Sequence, residues 1–341
     1  MGTFEALLAL GFVVLFHEFG HFLAARAFGV RVEVFSLGFA TKLFKKTYQN
    51  TEYALSLIPL GGYVSLQQEG KDGYLSKPLW QKSLILLGGP LFNFLLAFLL
   101  YTALALMPQE RLESIVGQVM PNMPAANVLK VGDRILALND TPIQSFEDLQ
   151  KAVKNAPNLE VVLRLKRGEQ TLSLALTLKE MPAKDAFNQP TKIKVLGIKP
   201  QDETFYFHYT LLQALKHAFT QCAHLIALTC QGLLKLIEGI VPLSNVSSVV
   251  GIVGFLAHQS GLEMWLLSVG FISISLGLLN LLPIPLLDGG QLVLLWIERL
   301  VKHSFSAKQI QVLNTLGLAF LLALLGLGLF NDLAAMFAKP A

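Results

Sequence analysis

Charge is scarce in this sequence, and cysteine is scarcer. Only 15% of the 341 residues are Asp, Glu, Lys or Arg, against 53% hydrophobic, where soluble domains carry about a quarter charged. One large soluble core does not need that surplus of apolar residues; several membrane spans do. The net charge of +4, from 27 basic and 23 acidic residues, is too mild to draw nucleic acid. No basic tract or RNA-binding signature is present, so no nucleic-acid partner is expected. Cys222 and Cys230 lie two helical turns apart, which disfavours a mutual disulfide, and no CxxC pattern points to thiolate-bound metal. Internal repeats and low-complexity segments are absent.

What is abundant is apolar sequence in long runs. Residues 4–25, 84–107, 264–287 and 312–330 each approach the ~20 residues that cross ~30 Å of hydrocarbon. The first run has no basic region ahead of it and contains His17, Glu18 and His21, so it reads as a retained span and not a signal peptide. Residues 31–82 are short and basic, with Arg31, Lys42, Lys45, Lys46, Lys71, Lys77 and Lys82. Arg299, Lys302 and Lys308 mark residues 291–311 in the same way. The positive-inside rule makes both loops cytoplasmic, with both termini and residues 108–263 on the opposite side.

Residues 108–204 change character. Residues 160–176 read as two strands joined by a hairpin centred on Gly168, and residues 145–153 as a helix capped by Ser145. This predicts a small α+β domain. Residues 205–263 hold a helix whose Gln213, His217, Thr220, His224, Gln231, Lys235 and Glu238 form one polar stripe. Such a helix is expected on the membrane surface or on the small domain.

The strongest chemical signal is His17-Glu18-Phe19-Gly20-His21 in the first span (residues 1–30). Positions i and i+4 share a helix face, so both imidazoles can reach one metal ion, and the glutamate between them can take a proton from water. A charged residue at mid-membrane costs about 2.5–3.5 kcal/mol on insertion scales, which makes ionisable groups there functional by default. Thirteen residues at 1.5 Å each place His17 about 20 Å from Phe4, past the midplane toward the cytoplasmic side. A catalytic zinc takes three protein ligands and keeps one position open. Asp288 is the acidic residue that ends the third apolar segment (264–290), after Asn280, Pro283 and Pro285 and before Gly289-Gly290. Broken helices at membrane depth are tolerated where they line a cavity.

Together these residues resemble the site-2 protease family of intramembrane zinc metalloproteases. His17 to His21 is similar to its zinc helix, and Asn280 to Gly290 to its downstream NxxPxPxxDG segment. Ile58-Pro59-Leu60-Gly61-Gly62-Tyr63-Val64 resembles its membrane-associated β-hairpin. Gly88-Gly89-Pro90 with Asn93, in the second span (83–107), resembles its GPxxN signature. Pro124-Ala125-Ala126, Val131 to Leu136 and Gly197-Ile198 resemble a PDZ domain. With one such domain, the chain resembles a single-PDZ bacterial relative of the regulator of sigma-E protease. Two departures stand out: Ser248-Val249-Val250-Gly251-Ile252 where relatives carry Gly-Pro-x-Gly-Ile, and Ser65 where a lysine is common.

The resemblance implies an α-helical polytopic membrane protein with four transmembrane helices, the last in residues 312–341, an inserted α+β PDZ-like domain and a membrane-associated hairpin. It implies a metalloendopeptidase of the bacterial inner membrane using Zn2+ held by His17, His21 and Asp288, with Glu18 as general base. Asn93, Asn280, Gly61, Gly62 and Tyr63 become candidate substrate-binding residues, with Asn93 and Asn280 alternatively orienting the site or joining helices. The hairpin is expected at residues 43–48 and 53–58, turning at Gln49-Asn50, with an exposed edge that captures unwound substrate by strand addition. Implied partners are single-span membrane proteins, such as anti-sigma factors already cut by another protease or remnant signal peptides, and a C-terminal peptide on the PDZ-like domain. A non-catalytic scaffold of the same fold would show a lost metal residue, and none is lost. A metal transporter would need neither a PDZ domain nor a glutamate between two histidines.

Overall fold

The computed structural model describes residues 2–338, without the side chains of residues 58–60, 336 and 338. The side chains of Ile58, Pro59 and Leu60 in the hairpin motif, and the end of the 312–341 segment, therefore lie outside the described residues.

The chain begins with helix α1 (Thr3–Ala27), strands β1 (Val32–Tyr48) and β2 (Thr51–Leu66), and helix α2 (Leu79–Leu106). An inserted stretch follows: β3 (Gln109–Leu112), β4 (Val116–Val119), β5 (Arg134–Leu138), β6 (Thr141–Pro142), α3 (Phe146–Asn155), β7 (Glu160–Arg167), β8 (Gln170–Thr177), β9 (Lys179–Lys184), β10 (Pro190–Val195), β11 (Ile198–Pro200) and β12 (Thr204–Phe207). Helices α4 (Leu211–Ile237), α5 (Val249–Ala257), α6 (Leu262–Asn280), α7 (Asp288–Val301) and α8 (Ala307–Ala338) complete it. Two compact units result, one of residues 105–211 and one of residues 1–104 with 212–341.

In the inserted unit, β6-β5-β7-β8 form one sheet. Strand β7 alternates as expected of a half-buried strand, with Val161, Leu163 and Leu165 inward and Arg164 and Lys166 outward. The hairpin to β8 turns at Gly168, where φ is 58°. Helix α3 starts on a reciprocal cap: Ser145 Oγ accepts from the Asp148 N–H, and Asp148 Oδ2 from the Ser145 N–H. Beside this core, Asp133 is 1% exposed and takes both prongs of Arg167, at 2.8 and 2.7 Å, plus the Lys130 N–H at 2.8 Å. Burial alone would raise the Asp133 carboxyl; these donors outweigh it and hold it below the usual carboxylate range. Its stabilising contribution is present above the unfolded value of about 3.9 and is lost as pH falls through the lower folded value. Asp133→Asn is expected to cost this unit about 2–4 kcal/mol at neutral pH. Hydrogen exchange at β5 and β7 amides measures it, and unchanged protection in the variant would refute it.

In the other unit, α1, α2, α6 and the stretch 307–335 of α8 are, among the described residues, the helices long and apolar enough to cross a membrane. Ala6, Ala9 and Val13 of α1 pack with Leu96 of α2, Val253 and Leu256 of α5, and Val269 and Ile272 of α6. Three features differ from expectation. The third segment is not one helix: α6 stops at Asn280, and α7 begins at Asp288 and runs on to Val301, into residues 291–311 that read as an interhelical loop. Pro283 and Pro285 lack backbone donors and push their predecessors out of the helical region, and Leu286 sits at φ 82°. Helix α4 lies against the bundle and not on a surface of its own; its Ala218 and Cys222 join Ala97, Tyr101 and Leu104 of α2 and Ile274 of α6. The small side chains let α4 approach, a signal that the polar stripe obscured.

The third difference is the hairpin. Gln49 and Asn50, both at positive φ, make the expected two-residue turn, but both strands run well beyond it and bend. Residues 34–37 pair with 52–55 on one side and with 62–65 on the other, and residues 44–48 cover the far side of 51–55. Four rows result: the two outer pairs are antiparallel, the central pair of 34–37 with 52–55 runs parallel, and residues 62–66 and 42–48 form the two edges. Phe22 and Ala25 of α1 and Ile85 of α2 pack on this sheet through Phe35, Tyr53 and Val64.

At the far end of α8, Asp332 Oδ2 accepts from Ser248 N, Ser248 Oγ and Gly251 N at 2.8, 2.6 and 3.0 Å. A carboxylate thereby caps the start of α5. Ser248 supplies two of those three donors.

Candidate active site

The site is built on α1. His17 and His21 lie one turn apart on the face turned to α2, and α2 can come this close because glycines meet there. A Cβ on Gly88 would stand 2.6 Å from the Gly20 carbonyl oxygen. One residue along, a Cβ on Gly89 would stand 2.6 Å from His17 Nε2 and closer still to His21 Nε2. The missing side chain at Gly89 is thus the space in front of both imidazoles. The break after α6 brings the first residue of α7 to the same point.

His17 Nε2 and His21 Nε2 are 3.2 Å apart, and Asp288 Oδ2 is 3.2 Å from the first and 3.4 Å from the second. A tetrahedral zinc with bonds of about 2.0–2.1 Å requires ligand atoms about 3.3 Å apart. Asp288 Oδ2 is buried and, despite these close approaches, makes no hydrogen bond among the described residues. A carboxylate oxygen and two imidazole nitrogens crowded together without a hydrogen bond to the carboxylate form a set that a cation completes. His21 Nδ1 lies 2.8 Å from the Ile85 carbonyl oxygen; a carbonyl only accepts, so Nδ1 carries the proton and Nε2 presents its lone pair. The residues present therefore fit zinc.

The site opens on a cavity of about 450 Å³ lined by His17, Glu18, His21 and Asp288. Glu18 lies outside the converging trio. Gly62 stands against it, since a Cβ there would be 3.3 Å from Glu18 Cγ. Of the other expected substrate-binding residues, Tyr63 and Asn280 line the cavity, and Asn280 Nδ2 donates to the Leu276 carbonyl at 3.0 Å. Gly61 sits at φ 137° beside the Phe39 ring. Asn93 is placed elsewhere: it is 0% exposed and is not among the cavity-lining residues, so it offers no surface to a substrate.

Tyr74, Gln68 and Gln291 line the cavity without having been expected there. Gln291 lies one turn beyond Asp288, a spacing that identifies it once a helix is known to start at 288. Tyr74 comes from the basic loop, where nothing marks it. Burial, with the Asp288 carboxylate adding to it, raises the Tyr74 phenol above its ordinary range, so it stays a neutral hydrogen-bond donor at the cavity wall.

Residues 5–324 match the family model described as Peptidase family M50. A Helicobacter pylori protein carrying the name "Putative zinc metalloprotease" is 40% identical over 97% of this chain and 99% of its own length. Metalloprotease MmpA of Caulobacter vibrioides is 29% identical over 96% of this chain and 94% of its own. Among solved structures, the PDZ domain of the SdrC-like protein Lmo2051 from Listeria monocytogenes is 23% identical, covering 26% of this chain and 86% of that one, with a TM-score of 0.20. That structural likeness is too slight to define a fold.

Proposed function

Because the chain belongs to peptidase family M50, the site-2 protease family, and is a multi-pass membrane zinc metalloprotease, we propose that it hydrolyses peptide bonds in the membrane-spanning segments of single-span proteins. In this reading His17, His21 and Asp288 hold the zinc and Glu18 moves the protons. The spacing of 3.2–3.4 Å among the three ligand atoms, which is that of a tetrahedral zinc, carries the assignment.

When bound, zinc supplies Lewis-acid polarisation of water and of the scissile carbonyl and stabilises the developing oxyanion. Glu18 accepts a proton from the attacking water, whose oxygen bonds to the carbonyl carbon. The C–N bond breaks, and Glu18 returns the proton to the leaving nitrogen, giving a carboxyl and an amine end. Tyr74 and Asn280 provide polar contacts on the cavity wall. A helical substrate hides its peptide groups in its own hydrogen bonds and must unwind first. The edge formed by residues 62–66, whose Tyr63, Val64 and Leu66 line the cavity, supports capture of the unwound stretch as an added strand. Exposed Phe39, Leu43, Phe44 and Leu57 suit a hairpin dipping into lipid.

The substrates we propose are anti-sigma-factor-like proteins trimmed by another protease and remnant signal peptides. The apolar groove between α3 and β10–β11, lined by Met123, Leu149, Val153 and Ile198, is proposed to take a C-terminal peptide on the PDZ-like domain. We propose a bacterial inner membrane as its location; the basic character of residues 31–82 and 291–311 supports a site toward the cytoplasm.

The test is metal removal. The detergent-purified protein should contain one zinc and cleave single-span model substrates. A chelator should reduce cleavage to background, and added zinc should restore it. His17→Ala should lose both metal and cleavage. Cleavage that survives complete zinc removal would sink the proposal.

A further inference from the structure

Helix α2 presents one face to the two histidines. The Ile85 carbonyl, Gly89 and Asn93 follow one another at four-residue spacing, so they stack along the side of the helix that meets α1. Ile85 holds His21 Nδ1, and Gly89 leaves the metal space. Asn93 reaches His17: the amide end placed as Nδ2 is 3.2 Å from His17 Nδ1, and the end placed as Oδ1 has no partner among the described residues.

Asn93 is fixed from behind as well. Ser273 Oγ of α6 donates to its backbone carbonyl at 2.8 Å, and a Cβ on Gly277 would stand 3.2 Å from Asn93 Cβ. These contacts hold the backbone and Cβ of Asn93 against α6.

An asparagine amide carries oxygen at one end and NH2 at the other, and turning it about its last torsion exchanges the two. The end directed away from His17 has no hydrogen-bond partner among the described residues, so the contact with His17 decides which end faces the ring. If NH2 faced it, Nδ1 would be the acceptor, the ring proton would sit on Nε2, and His17 would have no lone pair for metal. If the oxygen faces it, Nδ1 donates, and Nε2 is free toward His21 Nε2 and Asp288 Oδ2. We infer that Asn93 is a positioning residue whose side-chain oxygen accepts the His17 Nδ1 proton, holding that imidazole in its metal-binding tautomer as the Ile85 carbonyl holds His21. The inference rests on His17, His21 and Asp288 being the zinc ligands.

Two substitutions separate this role from packing. Asn93→Asp keeps the shape and the acceptor and cannot donate. It also brings the formal charge of two carboxylates, two neutral imidazoles and one divalent cation to zero. Asn93→Leu keeps bulk without an acceptor. Zinc affinity is read for both and for the wild type in detergent, by competition with buffered chelators. Asn93→Leu should bind zinc about 10–100-fold more weakly, the usual cost of losing an outer partner of a metal-bound histidine, while Asn93→Asp stays close to wild type. Asn93→Asp weakened as much as Asn93→Leu would overturn the inference, as would wild-type affinity in Asn93→Leu. The isosteric Asn93→Asp decides the matter even where the leucine variant does not fold. Failure of the ligand assignment looks different: His17→Ala would then retain zinc at wild-type affinity.

Discussion

Glu18→Gln is expected to purify with wild-type zinc and to cleave about 10²–10⁴-fold more slowly, the range for loss of a general acid–base. The geometry argues for this separation of metal from turnover. Glu18 lines the same cavity as the ligand trio but is not part of the convergent set of His17, His21 and Asp288. Glutamine preserves the volume that Gly62 accommodates and keeps a polar head in the cavity. What it removes is a basic oxygen able to take a proton from water and return it to the leaving nitrogen. Zinc content and single-turnover cleavage, measured on one preparation, test both halves. Turnover within tenfold of wild type would remove Glu18 from the chemistry, and lost zinc would move it into the ligand set.

Gly89→Ala should do the opposite and abolish metal binding, with cleavage falling to background. The new methyl would stand 2.6 Å from His17 Nε2, in the space where the ligand atoms converge. Helix α2 has little room to retreat, because α6 packs closely behind it: a Cβ on Gly277 would already stand 3.2 Å from Asn93 Cβ and from the Pro90 carbonyl oxygen, and cores resist such overpacking. Gly326→Ala in α8 is the control: a Cβ there meets nothing within 4 Å, so zinc and cleavage should both persist. One zinc per chain in Gly89→Ala would place the metal elsewhere.

Much of this site is legible from residue types and spacing. Two histidines at i and i+4 around a glutamate, inside an apolar run, have few structural uses, and the helix periodicity that aligns them operates locally. Asp288 is legible as an acid at the end of a broken apolar segment. The break itself is announced by two prolines, yet the amphipathic α7 beyond it is not, because its apolar residues continue the preceding run. The hairpin turn at Gln49-Asn50 can be read, while the doubling back of both strands cannot. That bend depends on Gly38 and Ala40 adopting positive φ, at 91° and 69°, and alanine gives no hint of it. Asn93 is visible as an amide in an apolar helix, but whether it faces substrate or a histidine depends on the rotation of α2 against α1. That rotation is set by glycine contacts between segments distant in sequence, and local pattern does not encode it.

The ligand set has a further consequence for how the protein comes into being. His17 and His21 belong to the first helix, and Asp288 to the opening of the seventh. As the chain is synthesised, α1 enters the bilayer with two ligands, one short of what a catalytic zinc requires. Only after α6 is inserted and α7 begins does the third arrive. With His17, His21 and Asp288 as the proposed ligands, a chain that stops before α7 lacks a complete site and is expected to be inert. A zinc held by these residues would tie the first helix to the seventh, closing a loop over most of the polypeptide and acting as a clasp on the fold.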